Sequence, residues 1–277
     1  MSTQNLTTIV SSLAQTVAIS HDRPVTIIGE RINPSGRKQL AASLQRGSMD
    51  IVRRDAIAQV KAGAALLDVN AGVPGMDQAA LMQQVIQAVC KVTDVPLCID
   101  SHNPRVLEAA LCKYQGKALL NSVNGKERSL AAILPLVKDH QVAVIGLAMD
   151  DDGLPHTAEQ RLRAATRIVE RAESLGIPRR DVIIDPLVLA GSTDARAAKE
   201  TLKAIPLIVR ELGVNITLGA SNLSHGLPRR TAINAAFVAM AIASGVTCPI
   251  TNPLSQAVRE AIRASDLIMG HGDWTET

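Results

Sequence analysis

Eight short, almost wholly apolar runs alternate with longer amphipathic stretches along this chain, and that alternation is what most restricts its fold. The runs are Val25–Glu30, Ala65–Val69, Leu97–Ile99, Ala118–Leu120, Val142–Leu147, Val182–Ile184, Ile216–Leu218 and Cys248–Thr251. Short runs without a polar face read as strands covered on both sides, the habit of parallel sheets. Between them, helical periodicity covers Asp50–Lys61, Asp77–Thr93, Pro104–Lys113, Glu127–Asp139, Ala158–Leu175, Ala195–Leu212, Arg229–Ala243 and Pro253–Ser265. Ser48, Pro104 and the pair Thr157/Gln160 mark helix starts, whereas Gly63, Gly176, Gly213 and Gly245 fall where helices should stop. The pattern predicts an α/β protein of one domain, a closed (β/α)8 TIM barrel. The rival is an open doubly wound sheet. Against it, no G-x-G-x-x-G follows the first strand and the repeat has no break. The 277 residues suit one barrel, for which about 250 is typical. We read 1–24 as a helical N-terminal extension that covers the barrel bottom or joins a dimer contact, and 25–277 as the barrel.

Composition narrows the function. Hydrophobic residues make up 47% of the chain, enough for a large core. A net charge of +3 gives no reason to invoke nucleic acid or an anionic membrane. Tyr114, Phe237 and Trp274 are the only aromatic residues, so bases would find almost nothing to stack on. A flat ring bound here has to be gripped by its polar edge. Cys90, Cys98, Cys112 and Cys248 show no Cys-x-x-Cys spacing, which argues against a zinc knuckle or a redox pair and suits the cytoplasm. The N-terminus lacks the basic start of a secretory signal, and no apolar run is long enough for a bilayer.

The polar residues fall at one end of each strand. In order these positions read Glu30-Arg31-Ile32-Asn33, Asp68-Val69-Asn70, Asp100-Ser101, Asn121-Ser122-Val123-Asn124, Met149-Asp150, Asp185-Pro186, Gly219-Ala220-Ser221-Asn222 and Asn252. Barrel enzymes work at the C-terminal ends of their strands. Any one of these side chains could simply cap a loop, but a converging ring of buried Asp and Asn needs partners. A polar heterocycle that donates several N–H groups would supply them. A metal ranks lower, because no element offers paired His ligands and the six His fall mainly in loops.

At this point the motifs resemble those of the methyltetrahydrofolate:corrinoid protein methyltransferases, pterin-binding barrels related to dihydropteroate synthase and to the folate domain of cobalamin-dependent methionine synthase. The matching stretches are IIGERIN (27–33), LLDVNAG (66–72), LCIDSHN (97–103), LLNSVN (119–124), VIGLAMDDDGLP (144–155), VIIDPLVL (182–189), LGASNLSHGLPRR (218–230) and INAAFVAMAIASG (233–245). The resemblance implies that Asp100, Asp185 and Asn121 hold the pterin edge and that Asn222 sits by the methyl-bearing ring nitrogen as the catalytic residue. It extends the pterin site to Asp68, Asn70, Gly219 and Ser221. It implies tetrahydrofolate or methyltetrahydrofolate as substrate, a homodimer, and a corrinoid (cobalamin) brought by a partner protein, since no Asp-x-His-x-x-Gly signature is present. The segment Pro34-Ser35-Gly36-Arg37-Lys38 departs from the corrinoid iron–sulfur branch of the family. Two other readings are a dihydropteroate synthase-type condensation and a non-catalytic folate-binding protein. The first needs a lysine motif after strand seven and an Arg/His pair after strand eight, where this chain has Ser221-Asn222-Leu223-Ser224 and Cys248–Pro253.

Overall fold

Apolar runs with no polar face must pack on both sides, and in the computed structural model, which describes residues 6–193 and 196–272, they stand side by side beneath a layer of helices. The strands are β3 (Ile28–Ile32), β4 (Leu66–Asn70), β5 (Leu97–Asp100), β6 (Leu119–Asn124), β7 (Ala143–Leu147), β8 (Val182–Asp185) and β9 (Ile250–Thr251). They form one sheet in the order β8-β7-β6-β5-β4-β3-β9, each neighbour parallel. The expected strand over 216–218 is irregular, joined to its neighbours by isolated bridges. Its backbone still bonds both sides: Ile184 N donates to Asn215 O and Thr217 N to Ile184 O, while Thr247 N donates to Ile216 O and Ile250 N to Leu218 O. The ring is closed through this segment.

Nine α-helices are described. Two of them, α2 (Asp50–Lys61) and α5 (Glu127–Asp139), coincide with the sequence reading. The others are α3 (Gln78–Cys90), α4 (Pro104–Leu111), α6 (Ala158–Ser174), α7 (Ala197–Leu212), α8 (Arg230–Ser244) and α9 (Gln256–Ile268), with α1 (Lys38–Gln45) as an unforeseen addition after β3. Thr157 and Gln160 form the expected capping box of α6, and Asn103 caps α4 ahead of Pro104.

The N-terminal extension is not helical over its described residues. It is a hairpin of β1 (Thr8–Ser11) and β2 (Thr16–Ile19), paired Thr8 with Ile19. The reason lies in its residues: Thr, Val and Ile lose side-chain freedom in a helix and suit a pleated surface. Val10 and Ile19, both buried, join an inner cluster with Ile28, Leu66, Cys98, Leu119, Ile145 and Ile183. The hairpin therefore plugs the bottom of the barrel. Asn215 Nδ2 pins it by donating to Thr8 Oγ1 and Ile19 O at 2.9 Å each, and Tyr114 Oη donates to Ser11 O at 2.8 Å. Ile19→Ala is expected to lower the unfolding free energy by about 2–5 kcal/mol in urea titrations. A change under about 0.5 kcal/mol, the level of an inert surface substitution, would show that the plug does not support the barrel.

Candidate active site

Side chains two residues apart on a strand share a face. Ile28, Leu66, Cys98, Leu119 and Ile183 point into the barrel, so Glu30, Asp68, Asp100, Asn121 and Asp185 stand above them at the C-terminal mouth. They open on a cavity of about 390 Å³, lined also by Arg31, Asn33, Ser35, Arg37, Gly219, Asn222 and Ile250. Of the sequence-predicted residues, Asp68, Asp100, Asn121, Asp185, Gly219 and Asn222 are thus brought together. Asn70 and Ser221 act one step back: Asn70 Nδ2 donates to Asp100 Oδ2 at 2.9 Å, and Ser221 Oγ donates to Glu30 Oε1 at 2.8 Å.

The carboxylates are short of positive partners. Asp68, 3% exposed, accepts from the neutral amide of Asn121 at 3.1 Å. Burial first, and then the neighbouring charge of Asp100, push the Asp68 carboxyl up to about 8. Burial also raises Asp100, with the Asn70 amide opposing. Asp185 is pushed up to about 7 by burial, against the backbone N–H of Leu187, which donates to its Oδ1 at 2.8 Å. Glu30 is raised by burial as well. Such groups ionise readily only when something in the cavity donates hydrogen bonds to them. Among the described residues, no group of three or more His, Cys, Asp or Glu is placed to hold a metal ion.

The surrounding shell fixes this mouth. Arg161 is fully buried on α6; its Nε donates to Pro186 O at 2.7 Å and its Nη2 to Leu187 O at 3.3 Å. It thereby holds the turn behind Asp185, in which Leu187 has a left-handed φ of 63°. Gln59 Oε1 accepts from Arg31 N at 2.8 Å and fixes the end of β3. Arg230 donates to Ser224 Oγ at 3.0 Å and Ser221 O at 3.3 Å, steadying the loop that carries Asn222. Gly219 is a packing requirement: a Cβ there would stand 2.8 Å from Asn222 Nδ2. Sequence alone places Glu30, Arg31 and Asn33 at the first strand end without giving them contacts, and it gives no role to Arg37, Arg161 or Gln59. Arg161 sits in an ordinary amphipathic helix, so nothing in the sequence marks it.

Asp185 binds its proton more tightly when folded than when unfolded. Its contribution to stability is therefore complete below the ordinary carboxyl value of 3.8 and is lost as pH rises through about 7. Asp185→Asn retains the acceptor for Leu187 N and cannot ionise. The variant should gain melting temperature over the parent as the pH rises from about 4 to about 7, the span over which the linkage acts. Parallel melting curves across that span would show that Asp185 is not desolvated.

With this geometry in hand, similarity to known proteins becomes specific. Residues 29–252 match the family described as pterin binding enzyme. The chain is 32% identical over 251 residues to a methylcorrinoid:tetrahydrofolate methyltransferase of Eubacterium limosum, across 88% of this chain and 91% of that protein. It is 31% identical over 246 residues to a methionine synthase of Mycobacterium tuberculosis, across 83% of this chain and 20% of that much longer protein. In three dimensions it is similar to a dihydropteroate synthase of Xanthomonas albilineans in complex with indole-2-carboxylic acid and 6-chloroguanine. The TM-score is 0.72 over 95% of this chain and 98% of that one, with 22% identity, a likeness of fold. The chain belongs to the pterin binding enzyme family and is one of its methyltransferases.

Proposed function

We propose that this methyltransferase moves a methyl group between a ring nitrogen of tetrahydrofolate and the cobalt of a corrinoid carried by a partner protein. The observation that carries the reading is the acceptor-rich floor of the cavity: Asp68, Asp100 and Asp185, with Asn121 among them, facing Asn222 across the mouth. A pterin edge carries an exocyclic amine and ring N–H groups, the donors that these desolvated carboxylates lack. Asp100, Asp185 and Asn121 hold that edge. Asp68 and Asn70 orient Asn121 and Asp100 through the amide–carboxylate bonds at 3.1 and 2.9 Å.

A tertiary amine is a poor leaving group, so its nitrogen has to gain positive character as the methyl departs. Asn222 is suited to this task. Its side chain lies beside Gly219 at the cavity wall, and its amide oxygen accepts from the N–H⁺ without adding a fixed charge. With the nitrogen already protonated, the C–N electron pair becomes its lone pair as the methyl leaves and the product is the neutral N–H amine; a corrinoid docked on its partner would supply the cobalt(I) nucleophile that takes the methyl carbon. The floor residues hold the ring so that the methyl faces the open mouth. The reading carries with it a homodimer in the cytoplasm. An apolar groove between α7 and α8, lined by Leu202, Ile233, Phe237 and the exposed Met240, supports the dimer. Among the described residues, no helix is long and apolar enough to cross a membrane.

The test is anaerobic mixing of the protein with methyltetrahydrofolate and reduced cobalamin while the cobalt(I) absorbance is followed. We expect protein-dependent loss of that absorbance. Asn222→Ala should slow it by about 100-fold, the scale of removing one group that stabilises developing charge, with folate affinity changed by less than about threefold. Equal losses in rate and affinity would contradict the role of Asn222, and folate binding without turnover would favour a binding protein.

A further inference from the structure

Floor and rim of the cavity carry opposite charge. Past β3 the chain turns at Pro34, where Arg37 N donates to Pro34 O at 3.0 Å, and this brings the Arg37 side chain back over the strand end. There Arg37 donates to Arg31 O and pairs with Asp55 of α2 at 2.7 Å. Asp55 also pairs with Arg54 at 3.0 Å. The other acid nearby, Glu30, accepts from Ser221 on the far side of the mouth. One carboxylate thus serves Arg37 and Arg54, and the Arg31 guanidinium has no ion pair or hydrogen bond among the described residues. Arg31 is half-buried, and after burial the charge of Arg37 is what most disfavours its own. Neighbouring cations in a partly desolvated place repel each other unless an anion joins them. Both line the same cavity as the acidic floor. The ligand that fits is donor-rich at one end and anionic at the other.

We propose that Arg31 and Arg37 form a carboxylate-binding rim that takes the glutamate tail of the folate whose pterin rests on the floor. This rests on the folate reading above. A guanidinium offers the paired N–H geometry that a carboxylate accepts, and Asp55 holds Arg37 ready for it.

The experiment compares equilibrium binding of tetrahydrofolate with that of 6-methyltetrahydropterin, which has no p-aminobenzoylglutamate, to wild type, Arg31→Gln and Arg37→Lys. Thermal melting checks that each variant is folded. Arg31→Gln should weaken tetrahydrofolate binding by about tenfold, the scale of one charge-assisted hydrogen bond, and leave the short pterin within about twofold. Arg37→Lys keeps the charge and loses the fork, so it should fall between. Equal weakening of both ligands would overturn the proposal, because the arginines would then hold the ring. Unchanged folate affinity with a raised KM for cobalamin would overturn it too, since the anion would belong to the corrinoid. If wild type binds neither ligand, the folate reading fails and this inference falls with it.

Discussion

Desolvated carboxylates at one end of a closed ring are the constraint around which the rest of this protein is arranged. Asp68, Asp100 and Asp185 stand above Leu66, Cys98 and Ile183 on the inward faces of their strands. Side-chain alternation leaves them no other place to point. Ionised Asp in such surroundings costs free energy, and the carboxyls respond by holding their protons to unusually high pH. The partners at Asp68 and Asp100 are the neutral amides of Asn121 and Asn70, which orient a carboxylate without satisfying its charge. A site left in this state is prepared for a ligand that donates hydrogen bonds. The apolar barrel and its helices offset the cost.

Everything beyond the floor serves position. The N-terminal hairpin fills the opposite end with Val10 and Ile19, so the inner cluster is sealed below, and the acidic cavity opens above it. Irregular backbone occurs where the site needs it. The segment over 216–218 closes the ring without forming a regular strand, and it leads directly to Gly219 and the turn that presents Asn222. Arg161 binds carbonyls of the turn behind Asp185, and Arg230 binds the loop behind Asn222. Two arginines far apart in sequence thus hold two walls of the cavity.

Much of this was legible beforehand, for physical reasons. Runs such as Leu66-Leu67 and Val182-Ile183-Ile184 have only one environment that suits them, and the acids that end them could only gather at one mouth. That Asp68, Asp100, Asn121, Asp185, Gly219 and Asn222 line one cavity therefore follows from strand ends and motif resemblance together. The hairpin did not. Its two four-residue strands are too short to separate period 2 from period 3.6, so the sequence alone reads as a helix there. The helix Lys38–Gln45 has no start signal in the sequence, because it has neither a side-chain cap nor an acidic residue in its first turn. Arg37 and Arg161 were invisible for a different reason: their roles come from contacts with Asp55 and with the 186–187 backbone, which depend on folding.

The proposed function requires the floor carboxylates to ionise against the N–H edge of a pterin. Calorimetric titration of tetrahydrofolate near neutral pH, repeated in buffers of different ionisation enthalpy, measures the protons exchanged on binding. Hydrogen bonds to the charged carboxylates lower their pKa from the raised values near 7 and 8. Binding should therefore release protons, fewer as the pH is raised above those values, with less release in Asp185→Asn. Binding with no proton exchange, or with net uptake, would contradict the account.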